Sequence, residues 1–123
     1  MITGTVNTNR EASLLLRVRG PLGQEQEIEA IIDTGFNGFL TLPPVLVAAL
    51  GLPRLGRGRA VLANGSEELF DIYEATVIWD GHPRTVELDA ANTAALVGMS
   101  LLYGHDLRIH VVEGGRVTIE ALP

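Results

Sequence analysis

The segment Ala30-Ile31-Ile32-Asp33-Thr34-Gly35 constrains this chain most, because it drives an apolar strand directly into a carboxylate. Just upstream, Glu25, Glu27 and Glu29 alternate with Gln26 and Ile28, the period-two pattern of a strand with one wet face. From Ala30 both faces turn apolar, so the strand is expected to pass from a half-wet surface into the core. Asp33 then ends a buried strand, where a carboxylate without partners is costly. Gly35 permits a sharp turn or a close backbone approach beside it. Such a carboxylate is either a structural anchor that caps a turn through its own backbone or a reacting group.

At 123 residues and 46% apolar side chains, residues 1–123 are expected to form a single domain with a substantial core. The chain has no cysteine, which excludes disulfides, thiolate nucleophiles and thiolate metal sites. Its net charge of −6, with nine arginines and no lysine, leaves little to gain from counterion release, so no nucleic-acid partner is expected. Arg54, Arg57 and Arg59 form a local basic cluster that reads as a solvated strand face. Met1-Ile2-Thr3 lacks the basic and apolar regions of a signal peptide, and the weakly polar run from Ala94 to Gly104 is too short to span a bilayer. A soluble, cytoplasmic protein without a membrane partner is expected.

Turn signals divide the remaining sequence. Ile2 to Val6 and Leu14 to Arg19 read as strands, the second turned back through Gly20-Pro21-Leu22-Gly23 into the Asp33 strand. Phe39 to Leu42 is again extended, and Pro43-Pro44 opens a short helix, Val45 to Leu50, closed by Gly51. Arg54 to Ala63 and Glu68 to Trp79 flank Asn64-Gly65, the strongest hairpin signal in the chain. Gly56 and Gly58 weaken the first of these strands or allow a bulge. Leu69, Tyr73, Ala75, Val77 and Trp79 share one face of the second. Asp80-Gly81 turns the chain into Pro83 to Leu88. The apolar run from Ala94 to Gly98 belongs in the core, and Met99 to Tyr103 forms a helical turn stopped by Gly104. Leu107 to Val112 and Arg116 to Ile119 make a last hairpin around Gly114-Gly115. The expected class is all-β with one or two short helices.

Ile31-Ile32-Asp33-Thr34-Gly35, the Asn64-Gly65 hairpin, Leu96-Val97-Gly98 and the turn from Met99 to Tyr103, taken in that order, resemble the retropepsin-like aspartic proteases. That family includes the retroviral proteases and their bacterial single-domain relatives, and the likeness runs from about Leu14 to Leu107. It implies a retropepsin-like acid protease half-barrel and an aspartic endopeptidase that needs no cofactor or metal. Peptide hydrolysis of this kind requires one carboxylate to polarise a water while another donates a proton. The chain has one such motif, so the resemblance implies a homodimer in which Asp33 of each subunit meets its counterpart across the two-fold axis.

It further implies that the Thr34 hydroxyls hydrogen-bond across that axis and that Gly35 lets a peptide or protein substrate approach. Ala63, Asn64 and Gly65 would form a flap closing over the substrate, and Gly98 would pack behind the Asp33 loop. Phe36 and Asn37 stand where retroviral members usually carry alanine and an aspartate that helps bind substrate, which implies a narrower, uncharged subsite. Ser100 stands where many members carry an aspartate or asparagine that supports the loop. The Gly114-Gly115 hairpin adds length where viral chains end in an interface strand.

Other chemistry is weakly signalled. His105 and His110, on opposite faces of an extended strand, and His82, in a hairpin, do not suggest a metal site. Gly56 and Gly58 lack the further glycine and helix start of a phosphate loop. Ser66 and Ser100 have no recognisable histidine partner. Subsites built from Phe36, Leu62 and Leu96 are expected to be apolar. A second reading, from another class, is a dimerisation or peptide-binding module that keeps the fold and cleaves little. The retention of Asp33, Thr34 and Gly35 together favours the enzyme, since a scaffold needs no ionisable group in a dry interface.

Overall fold

Ten strands and two short helices carry residues 1–123 in the computed structural model of the chain. The strands are β1 (Ile2–Val6), β2 (Ala12–Arg19), β3 (Glu25–Ile32), β4 (Leu40–Leu42), β5 (Arg54–Val61), β6 (Glu67–Trp79), β7 (His82–Ala90), β8 (Ala95–Val97), β9 (His105–Ile109) and β10 (Arg116–Ala121). The helices are α1 (Pro44–Ala49), between β4 and β5, and α2 (Met99–Leu102), between β8 and β9. No helix is long and apolar enough to cross a membrane.

Period-two patterning decides which face each strand buries. Leu14, Leu16 and Val18 of β2 point inward, while Leu15 between them is 64% exposed. Ile28 and Ala30 of β3 are buried, and Glu25, Glu27 and Glu29 face water. On β6 the inward set is Ala75, Val77 and Trp79. The ladder runs β6-β7-β4-β8-β3-β2, and β2 pairs back onto β6 from Arg17↔Ile78 to Arg19↔Thr76, which closes these strands into a barrel. Leu40, Leu42, Leu50, Val97 and Leu101 fill its interior and are fully buried.

Two extensions leave the barrel. β5 pairs with β6 alone and makes a long hairpin, with the expected irregularity falling between Arg54 and Gly56. On the other side, β1 joins β2, β10 joins β1, and β9 is outermost.

Boundaries shift where tertiary pairing adds residues to a strand. β7 runs on to Ala90 because β4 lies parallel to it, from Leu40↔Leu88 to Leu42↔Ala90. β9 begins at His105, ahead of the expected Leu107, because His105↔Ala121 and Asp106↔Glu120 extend its ladder. It also stops early. Gly115 packs against the His110 carbonyl, and Val112 N–H donates to that same oxygen at 2.8 Å. Val111 and Val112 therefore leave the strand and lie exposed.

Candidate active site

The Asp33 loop is built by threading one short strand between two others. β8 lies parallel to β3, from Ala30↔Ala95 to Ile32↔Val97, and antiparallel to β4 through Leu40↔Val97 and Thr41↔Leu96. The chain from Asp33 to Phe39 must arch over the end of β8 to connect its two neighbours. Asp33 N–H donates to Val97 O at 2.9 Å on one flank, and Gly98 N–H donates to Phe39 O at 3.1 Å on the other.

The first turn of α2 completes the clamp. N–H groups at a helix start have no partner within the helix. Here Met99 N–H donates to Phe36 O at 2.8 Å and Ser100 N–H to Gly38 O at 3.1 Å. The Ser100 hydroxyl donates to Asn37 O in a short hydrogen bond. Ser100 thus supports the loop through its hydroxyl. Gly98 sits against the back of the loop, where a Cβ would lie 2.2 Å from Gly38 O and 2.6 Å from Phe36 Cδ2. The Phe36 ring also lies over Gly38, whose own Cβ would meet Phe36 Cζ at 2.6 Å. Phe36 is accordingly half-buried as a wedge between the loop and Gly98.

On the open side of the loop, Asp33 Oδ1 accepts the Gly35 N–H at 3.0 Å. This is the local turn that the sequence allows for an aspartate, and it leaves Oδ2 free. Asp33 is half-buried, and Thr34, Gly35 and Asn37 are exposed. Thr34 borders a shallow hollow of about 270 Å³ together with Ile31, Ile32, Arg10, Ile109 and Val111.

Ala63, Asn64 and Gly65 gather at the tip of the β5–β6 hairpin. Leu62 N–H donates to Ser66 O at 2.8 Å, and Asn64 Oδ1 accepts from Ser66 N–H at 3.0 Å and from Ser66 Oγ at 2.6 Å. Every residue from Val61 to Leu69 is exposed, and none is hydrogen-bonded to the Asp33 loop. The structure thus joins Asp33, Gly35, Phe36, Asn37 and Gly98 into one unit and keeps the hairpin tip apart from it.

Sequence reasoning missed two supports. Arg84 of β7 lies over the Phe39 ring, 5.5 Å from its centroid, and donates to Leu101 O at 3.3 Å, joining the loop's far end to α2. The buried Thr41 donates from Oγ1 to Asp89 Oδ2 at 3.3 Å, and burial pushes the Asp89 carboxyl above the usual carboxylate range. No local pattern marks either pair, because each joins residues far apart in sequence. His105 Nε2 accepts the Trp79 indole N–H at 3.1 Å. No three side chains of the metal-ligating types are grouped to hold an ion.

No family model and no curated protein matches this sequence. Among solved structures, the chain is similar to the EIAV protease complexed with the inhibitor HBY-793, at a TM-score of 0.57 and 13% identity. The likeness covers 78% of this chain and 88% of that one. With its closed barrel, and with β8 threaded between the strands that carry the Asp33 loop, the chain has an all-β, retropepsin-like fold.

Proposed function

We propose that this protein is an aspartic endopeptidase that acts as a homodimer, with Asp33 of each subunit brought together at the two-fold axis. The observation that carries this reading is the double clamp on the Asp33 loop, by β8 on its flanks and by Gly98 and α2 behind it. An aspartate that merely capped its own turn would make the same Oδ1 bond to Gly35 but would need no such scaffold. Here backbone hydrogen bonds from β8 and α2 hold the loop, and Oδ2 has no partner within the chain.

Two carboxyls at contact distance do not both ionise, so they share one proton, a pair of which the aspartic proteases are the standard case. The ionised member polarises a water for attack on the scissile carbonyl, and the protonated member donates to the developing oxyanion. Thr34, exposed beside Asp33, would bond its counterpart and fix the pair. Gly35 leaves room for the substrate backbone. Ala63-Asn64-Gly65 closes over the peptide and excludes water. Phe36, lodged against Gly98, shapes the loop more than it walls a subsite, which leaves Asn37 as the polar side chain beside the substrate.

The test is cleavage of a randomised peptide library by wild-type and Asp33→Asn protein at mildly acidic pH. Cleavage by the wild type that is lost in Asp33→Asn and indifferent to a chelator supports the proposal. Cleavage that survives Asp33→Asn refutes it. Saturable peptide binding without cleavage by either protein favours the binding module instead.

A further inference from the structure

The sheet ends in two free edges, β5 and β9. In the viral pattern that the sequence resembles, a chain end supplies the strand between subunits. Here both terminal strands are already taken: β1 lies between β2 and β10, and β10 lies between β1 and β9. β5 belongs to the hairpin proposed as the flap. That leaves β9. Resting on the dimeric reading above, we infer that β9 is the strand through which two copies of this chain pair, antiparallel, about a two-fold axis at Leu107.

The ladder fixes which backbone groups are available. His110 N–H donates to Arg116 O at 3.0 Å and Leu122 N–H to Gly104 O at 2.9 Å. Hydrogen-bonded positions alternate along an antiparallel pair, so Asp106 and Arg108 turn their backbone groups toward β10. Those of His105, Leu107 and Ile109 point to the free edge. A two-fold axis at Leu107 then sets Leu107 opposite the partner's Leu107, and His105 opposite the partner's Ile109. Every outward N–H and C=O of the strand finds a partner.

The same register sets Asp106 opposite the partner's Arg108, and Arg108 opposite the partner's Asp106. These are non-hydrogen-bonded positions, where facing side chains come closest. Within one chain Arg108 Nε already lies 3.2 Å from Asp106 Oδ2, on the outer face of the strand. Pairing would turn two such bridges into a closed four-charge network. Other features agree. Ile109 and Val111 border the same hollow as Thr34, so the edge and the Asp33 loop share one face of the molecule. Val111 and Val112, 74% and 65% exposed, extend that face with apolar surface.

Sedimentation equilibrium of charge variants tests this arrangement. Asp106→Arg sets arginine against the partner's Arg108 at both symmetric positions, and Arg108→Asp does the same with carboxylates. Each is expected to raise the dimer Kd roughly tenfold or more. An equal mixture of the two variants restores opposite charges at both positions, as does the double exchange Asp106→Arg/Arg108→Asp. Both should return Kd close to the wild-type value, with circular dichroism confirming that each protein is folded. Wild-type dimers whose Kd ignores all four changes would overturn the interface and leave the peptidase reading standing. A wild-type monomer at high micromolar concentration overturns both. Charge-dependent dimers whose cleavage ignores Asp33→Asn support the interface and remove the peptidase.

Discussion

Gly98 stands so close behind Gly38 that a Cβ on Gly98 would lie 2.2 Å from the Gly38 carbonyl oxygen. The contact is backbone to backbone, so no side-chain rotation relieves it. Gly98→Ala is therefore expected to push the Asp33 loop off α2, at a cost of about 1–3 kcal/mol typical of overpacking. Activity should fall further than stability, because the loop that moves carries Asp33. Thermal melts and cleavage rates of the variant check this; an unchanged melting temperature would show that the loop can shift freely.

Ser100 gives a gentler version of the same test. Its hydroxyl donates to Asn37 O at the exposed rim of the loop, where water can replace it. Ser100→Ala should cost about 1 kcal/mol, the usual net worth of a hydrogen bond. Urea denaturation of the two proteins measures the difference. A loss beyond about 3 kcal/mol would mean that Ser100 does more than this bond.

These two positions also show how far the sequence could be read. Strand phase was legible wherever one face is wet, as in Glu25 to Ile28 or Leu14 to Val18, because alternation there is a direct imprint of burial. The order of Asp33-Thr34-Gly35 and Leu96-Val97-Gly98 was legible because a glycine after an apolar run has few other uses. What Gly98 touches was not, since Gly38 is distant in sequence and carries no side chain. Phe36 read as a subsite wall because nothing local says that its ring turns back over Gly38. The start of β9 depended on a ladder with Ala121, and the role of Ser100 on a carbonyl across the loop. In each case the deciding partner lies outside any local window.

Asp89 makes the pH dependence of stability testable. Burial raises its folded pKa above the ordinary value of 3.8, against the opposing hydrogen bond from Thr41. The folded state therefore holds the proton more tightly than the unfolded chain. The resulting stabilisation is fully present below 3.8 and is lost as pH rises through the raised folded value. Asp89→Asn keeps an acceptor for Thr41 Oγ1 and carries no charge. It should melt higher than wild type at neutral pH, and the gap should close in acid. A variant that is less stable at neutral pH would show that the ionised carboxylate has an unseen partner.

The β5–β6 hairpin should be the most mobile ordered part of the unliganded protein. Its outer strand pairs on one side only, and residues 61–69 are exposed, so opening its tip sacrifices few contacts. Amide hydrogen exchange is expected to be fast from Leu62 to Ser66 and slow in β3 and β8. A bound transition-state mimic should slow exchange at the tip. Protection at the tip equal to that of β3 without ligand would argue against a flap.

Shared catalysis has a signature of its own. Wild-type and Asp33→Asn chains can be unfolded together, mixed and refolded so that subunits pair at random. Asparagine matches aspartate in size, and the Asp33 side chain accepts a single short-range hydrogen bond that the amide oxygen can also accept, so the variant should fold and pair like wild type. If each site needs two carboxylates, mixed dimers are inactive and activity follows the square of the wild-type fraction. An equal mixture then retains about a quarter of the all-wild-type rate at equal total protein. Independent sites in each chain would retain about half. Sedimentation and circular dichroism of the variant verify that pairing is random before the curve is interpreted. A straight line through such a verified series would exclude a two-carboxylate mechanism, because no mixed dimer could then be dead.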